Sequence, residues 1–303
     1  MTETFRSFAK INLHLQVDGR FSDGYHELRT IFQTVSLHDL VSLAPSDRPA
    51  IELSVPGGGA PADASNLAYR AARALLDFAA PQRGLVIELH KRIPAGGGLG
   101  GGSSNAAAVL LGAREVLDLD VADSDLQTLA AGLGADVPYF LVGGTALGTG
   151  RGDAIEPLVE IPQQEILLVD PGVSVSTAGV FAGLELQPLR PLPVGVAMLV
   201  AGEPAADIES LRGFNDLEKP VFEAFPRVRS VYNALRRAGA SMARLSGSGA
   251  TVFACFADSQ QASEARTHLP SDAKVYEVRT LSRSRVREAR SVEVGEGESN
   301  EGD

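Results

Sequence analysis

Pro94–Ala107 reads PAGGGLGGGSSNAA, with six glycines in the seven positions from Gly96 to Gly102, followed at once by serine, asparagine and alanines. Glycine loses more chain freedom on folding than any other residue, so a cluster this dense costs stability unless special dihedrals or a close approach require it. A strand-like run, GLVIELHKRIP, precedes the cluster, and Ser104–Leu117 behind it reads as a helix whose small and apolar first turns mark it as buried. Successive backbone N–H groups of such a loop form a concave anion site, at which the free N–H groups of the following helix also point. The stretch therefore reads as a phosphate cradle built from Pro94, Ala95, Gly96, Gly97, Gly98, Leu99, Gly100, Gly101, Gly102, Ser103, Ser104 and Asn105. Ser103 and Ser104 each offer a hydroxyl, either to phosphate oxygen or Mg²⁺ or to the helix as a cap.

Better-known phosphate loops fit less well. Gly96, Gly98 and Gly101 satisfy G-x-G-x-x-G, with Asp118 or Asp120 following at about the 20-residue distance of a dinucleotide fold. In a run that is nearly all glycine, however, that match is almost forced. A P-loop requires a Lys followed by Ser or Thr at its end, and the protein-kinase loop requires a downstream Val with HRD and DFG elements; neither set is present.

The rest of the composition narrows the partner. The 303 residues are 44% hydrophobic and 21% charged, enough for one large or two medium domains with a real core. A net charge of −11 opposes general affinity for nucleic acid or an anionic membrane and favours a small-molecule partner. Ser291–Asp303 carries five acids and no base and reads as a disordered tail, while the five arginines of RTLSRSRVREARS before it read as a solvated edge rather than an RNA contact. The lone Cys255, within strand-like TVFACF, reads as a small buried residue. The first residues lack a signal-peptide-type apolar segment and no run is long enough to span a bilayer, so cytoplasm is the expected location.

Along the chain, Lys10–Val17 alternates strictly, with Ile11, Leu13, Leu15 and Val17 on one face and Lys10, Asn12, His14 and Gln16 on the other, as in a half-buried strand. Asp23-Gly24 marks a turn, and IFQTVSLHDLVSLAP and IELSVP supply further strand. Asn66–Ala80 reads as an amphipathic helix with Leu67, Ala71, Leu75 and Phe78 on one face, and Asp125–Leu133 as a short helix stopped by Gly134. Beyond Glu156–Pro162 a second unit begins with EILLVDPG, in which VGVAMLV, the helical NDLEKPVFEAFPRVRSVYNALRRAG, TVFACF, helical ASEARTHL and strand KVYEVRTL follow. Mixed strands and helices in both halves imply an α+β protein in two lobes.

PAGGGLGGGSSNAAAVLL is similar to the central motif of the GHMP small-molecule kinases, and AKINLHLQV and LSGSGATVF resemble that family's first and third motifs. DGYHEL, GADVPYFL, PGVSVSTAGVF and NDLE resemble the branch that acts on a cytidyl diphosphate substrate of the non-mevalonate isoprenoid pathway. The resemblance implies an N-terminal ATP-binding and catalytic lobe over 1–158, a ferredoxin-like C-terminal lobe on the substrate side over 159–288, and a tail over 289–303. It also implies transfer of a phosphoryl group from ATP, with Mg²⁺ whose ligands are not assigned, to the 2-hydroxyl of a cytidine-diphosphate-linked methylerythritol. The alternatives are another GHMP small-molecule kinase or a non-catalytic nucleotide-binding regulator.

Taken alone, Asp136 is either a helix cap or a base; the resemblance assigns it as the catalytic aspartate, with Lys10 as the catalytic lysine that orients the alcohol and stabilises charge developing on the phosphoryl oxygens. By the same resemblance Tyr25 and His26 bind the cytosine, Phe181 stacks on it, and Thr177 adds a hydroxyl. Asn12 shares the polar face of the Lys10 strand and is expected to bond the substrate. Gly247, Ser248 and Gly249 form a second glycine turn on the phosphate side. Asn105 stands where many relatives have aspartate.

Overall fold

The computed structural model describes residues 1–292 apart from Leu189; the acidic run from Glu293 onward lies outside the described residues. β1 (Glu3–Arg20) and β2 (His26–Ser46) form a long hairpin around FSDGY, where the Tyr25 N–H donates to Asp23 Oδ1 at 3.1 Å and the Phe21 N–H to Tyr25 O at 2.7 Å. The chain continues through β3 (Ile51–Ser54), α1 (Leu67–Ala79), β4 (Gly84–His90), α2 (Gly101–Val116), α3 (Asp123–Leu133), α4 (Val137–Val142), β5 (Thr145–Thr149) and β6 (Ala154–Pro157). β4 pairs with one end of β2, over Leu40–Ser46, and β5 with the other, over Thr30–Gln33, so a single strand of 21 residues spans the lobe.

The helices cover one face of this sheet, where Phe5, Val41, Leu43 and Ile87 meet Ala71, Leu75, Ala107 and Leu110. The alanines and glycine of α2 are small because the sheet is close: a Cβ on Gly112 would lie 2.7 Å from Leu43 Cδ1. α1 is capped by Asn66, whose side chain accepts from the Ala68 N–H. Its buried face is Ala68, Ala71, Ala72, Leu75 and Leu76; Phe78, expected among them, is 55% exposed.

The second lobe holds β7 (Glu165–Asp170), α5 (Thr177–Ala182), α6 (Val194–Val200), α7 (Glu218–Ala224), α8 (Pro226–Arg237), β8 (Met242–Leu245), β9 (Val252–Cys255), α9 (Ser259–Arg266) and β10 (Lys274–Arg279). The stretch expected as one long helix divides into α7 and α8 at Pro226, whose ring suits a first helical position better than an interior one. The sheet order β10-β7-β9-β8, antiparallel throughout, is that of a ferredoxin-like lobe. Cys255 is buried, and burial pushes its thiol up to about 12, as befits an inert core residue.

The chain then returns to the first lobe. α10 (Arg283–Glu288) packs there through Arg283, which pairs with Glu160, and β11 (Ser291–Val292) adds to the free edge of β1 opposite Thr4 and Phe5. Ser291 and Val292, expected in a disordered tail, are thus strand. Among the described residues no helix is long and apolar enough to cross a membrane.

β1 departs most from its sequence reading. A bulge between Asn12 and His14 breaks the expected alternation, so Lys10 and Asn12 line the cleft together with Leu15 while His14 and Gln16 turn to the other face, and all four are no more than 3% exposed. The second lobe packs against the hairpin, with Ala9, Ile11, Leu13 and Ile31 sharing a cluster with Ile166, Leu168 and Phe253, and Leu15 and Val17 sharing another with Val169 and Val231.

Candidate active site

A cleft of about 650 Å³ runs between the lobes, lined at its centre by the glycine loop. The loop carbonyls are consumed by the protein: Leu99 O accepts the Lys10 N–H at 3.0 Å, Gly98 O the Ser246 hydroxyl at 3.0 Å, and Gly97 O the Thr251 N–H at 3.1 Å. Gly98 adopts φ +74°, and a Cβ there would lie 2.0 Å from Ser246 O, so only glycine permits this approach. α2 begins inside the glycine run, at Gly101, with left-handed Gly100 at its N-cap and no side-chain cap. Neither serine caps the helix. Ser103 lines the cleft, whereas Ser104 is buried on the opposite side, donating to Phe8 O at 2.6 Å and accepting from Ser7 Oγ at 2.7 Å. The Ser104 hydroxyl, expected among the phosphate ligands, is thus bonded within the protein; its helical position turns it toward β1.

Lys10 and Asp136 come together beside this loop, Nζ to Oδ2 3.5 Å. Lys10 is held from behind, donating to Asn12 Oδ1 at 2.6 Å, while the Asn12 amide donates to Thr30 Oγ1 at 2.7 Å. Asp136 sits at the N-cap position of α4 but makes no cap hydrogen bond, so its carboxylate faces the cleft. Gly247 closes over both: a Cβ on it would lie 3.3 Å from Lys10 Nζ and from Asn12 Oδ1. The second glycine turn is clamped by the NDLE segment, since the buried Asn215 amide donates to Leu245 O and Gly247 O at 2.9 and 2.7 Å, and Glu218 accepts the Leu245 N–H at 3.0 Å. Burial raises the Glu218 carboxyl above its ordinary range.

From the second lobe, Thr177 and Ser248 line the cleft and share a hydrogen bond of 2.7 Å, and Phe181 lines it beside them. The His26 ring lies 5.0 Å from the Phe181 ring, tilted by 32°. Burial, then Arg20, lowers the His26 imidazole below its ordinary value. Tyr25 stands at the rim, 60% exposed, with the Arg151 guanidinium 4.2 Å from its ring centre. Gly249, which closes the same turn by donating to Ser246 O at 2.9 Å, is buried and does not line the cleft.

Residues 66–144 match the GHMP kinases N terminal domain and residues 201–274 the GHMP kinases C terminal domain. The 4-diphosphocytidyl-2-C-methyl-D-erythritol kinase of Pelobacter propionicus is 40% identical over 266 residues, 88% of this chain and 94% of its own. The chain belongs to the 4-diphosphocytidyl-2-C-methyl-D-erythritol kinase branch of the GHMP kinases. The Geobacter sulfurreducens kinase of that name is 39% identical over 86% of this chain and 91% of its own. A crystal structure of 4-(cytidine 5'-diphospho)-2C-methyl-D-erythritol kinase superposes with a TM-score of 0.76 at 35% identity, over 91% of this chain and 98% of that one. Homoserine kinase from Cytophaga hutchinsonii, at 22% identity and TM-score 0.71 over 93% and 95% of the two chains, shares the fold.

This GHMP kinase also contains site residues that the sequence reading passed over. Asp39, fully buried in β2, pairs with Lys91 and accepts from the Arg92 and Ile93 N–H groups at 2.6 and 2.8 Å, anchoring the segment that leads into the glycine loop. Asn105 joins the network, accepting from Lys91 Nζ at 2.8 Å and donating to Asp39 Oδ2 and Ser7 Oγ at 2.9 Å. A carboxylate is thus present beside Asn105 after all, supplied by another strand. The available signal was Asp39 itself, an acid in the apolar run VSLHDLVSL, because a buried charge requires a partner.

Proposed function

We propose that this kinase transfers the γ-phosphoryl group of ATP to the 2-hydroxyl of 4-diphosphocytidyl-2-C-methyl-D-erythritol. The observation that carries the reading is the Lys10–Asp136 pair, 3.5 Å apart at the foot of the glycine loop. With the loop carbonyls occupied elsewhere, the N–H groups of the loop and of the first turn of α2 are left for the phosphates. The alcohol oxygen attacks Pγ while Asp136 takes its proton; the bond from Pγ to the β,γ-bridging oxygen breaks and ADP leaves. Lys10, fixed by Asn12, orients the alcohol and stabilises charge on the transferring oxygens.

The cytosine stacks on Phe181, with His26 beside it and Tyr25 at the rim, and Thr177, Gly247 and Ser248 meet the diphosphate. In this division of labour the unit 1–158 holds the nucleotide and the catalytic pair, and the unit 159–288 supplies the ring. Among the described residues no three His, Cys, Asp or Glu side chains are grouped to hold a metal. That suits Mg²⁺, which commonly binds through substrate phosphates and a few protein oxygens, and the Ser103 hydroxyl is placed to serve. When bound, Mg²⁺ neutralises charge on the β- and γ-phosphates.

The test is a coupled assay of ADP release with ATP and Mg²⁺, offering the cytidyl substrate, homoserine and mevalonate separately. Turnover with the cytidyl substrate alone is expected. Turnover with another of these alcohols, or nucleotide binding with no turnover at all, overturns the reading.

A further inference from the structure

A second cavity, of about 550 Å³, lies behind α2 and shares no lining residue with the catalytic cleft. Five arginines line it: Arg6 on β1, Arg114 on α2, and Arg283, Arg287 and Arg290 on and just after α10. Among its lining residues Asp123 is the sole acid, so the cavity concentrates positive charge in a chain whose net charge is −11. Arg114 pairs with Asp123 at 2.7 Å, Arg283 with Glu160 at 3.3 Å, and Arg290 with Glu115. Arg287 is exposed and its guanidinium makes no ion pair or hydrogen bond among the described residues, and Arg283 Nε is buried without a hydrogen-bond partner there. Beside the guanidinium groups the lining includes apolar Phe8, Ala108, Leu111, Leu126, Leu141 and Val286, with polar Ser7, Thr34, Ser104 and Gln127 among them.

We infer that this cavity binds a small anionic amphiphile, a phosphate monoester bearing a short apolar chain, at a site distinct from the catalytic cleft. Planar guanidinium forks match phosphate oxygens, and apolar side chains in the same wall fit a ligand with one charged end and one oily end. An occupant abuts the back of the helix whose front end holds the cradle.

The full chain, saturated with ADP to fill the cleft, is titrated calorimetrically with n-hexyl phosphate, inorganic phosphate and hexan-1-ol. Hexyl phosphate is expected to bind one per chain, at least tenfold tighter than either fragment. Arg287→Glu should weaken it at least tenfold while thermal unfolding and ATP turnover stay at wild-type values. Equal binding to Arg287→Glu and wild type, hexyl phosphate no tighter than inorganic phosphate, or displacement by excess ADP would each overturn the assignment.

Discussion

Asp136 stands where a helix would accept a capping carboxylate, yet it turns to Lys10. Asp136→Asn keeps the size and removes the proposed proton acceptor, so turnover should fall by roughly a hundred- to ten-thousandfold while the calorimetric ATP affinity changes less than about threefold. His14 gives a different expectation. Burial, then Arg29 and Arg190, lowers its imidazole to about 4 from an ordinary 6.5. Between those values the unfolded chain takes up a proton that the folded chain refuses, so stability is lost as pH falls through this window, by at most about 1.4 kcal/mol per pH unit. Urea midpoints from pH 7 to 4.5 should drop more steeply for wild type than for His14→Gln; parallel curves would refute this. That Lys10 and Asn12 share a face was legible from a period of two. The direction of Ser104 was not, since it depends on where in the glycine run the helix starts.

The elements explain why some glycines are indispensable and others are not. Gly98→Ala places a methyl 2.0 Å from Ser246 O at a left-handed φ, and ATP affinity should fall at least tenfold by titration. Gly132, exposed within α3 with nothing within 4 Å of its missing Cβ, should gain about 0.5–1 kcal/mol on change to Ala, with unaltered ATP affinity. Ser104→Ala strips the bridge between α2 and β1 and should cost about 1–3 kcal/mol in denaturant unfolding without weakening ATP binding. Weakened ATP binding would instead return Ser104 to the cradle. Periodicity revealed most elements, but not which side each buries: Phe78 fits the helical pattern of α1 and still faces water, because α1 packs chiefly on α2 and buries Ala72 and Leu76 instead. The bulge that divides the polar residues of β1 between two faces is announced by no local pattern.

At the scale of the molecule the two sheets share their cores. Ile11 and Ile31 pack with Leu168 and Phe253, and Leu15 with Val169 and Val231. Unfolding monitored by far-UV circular dichroism and by a dye reporting exposed core should therefore give coincident transitions; two separated steps would show independent lobes. A similar interdependence governs when the protein becomes competent during its synthesis. The cradle is tied down by the Lys10 N–H, the Ser246 hydroxyl and the Thr251 N–H, which come from opposite ends of the chain. A nascent polypeptide that has emerged only as far as α8 holds every glycine of the loop and lacks two of its three fastenings, so a ribosome must translate past Thr251 before the chain can grip a nucleotide.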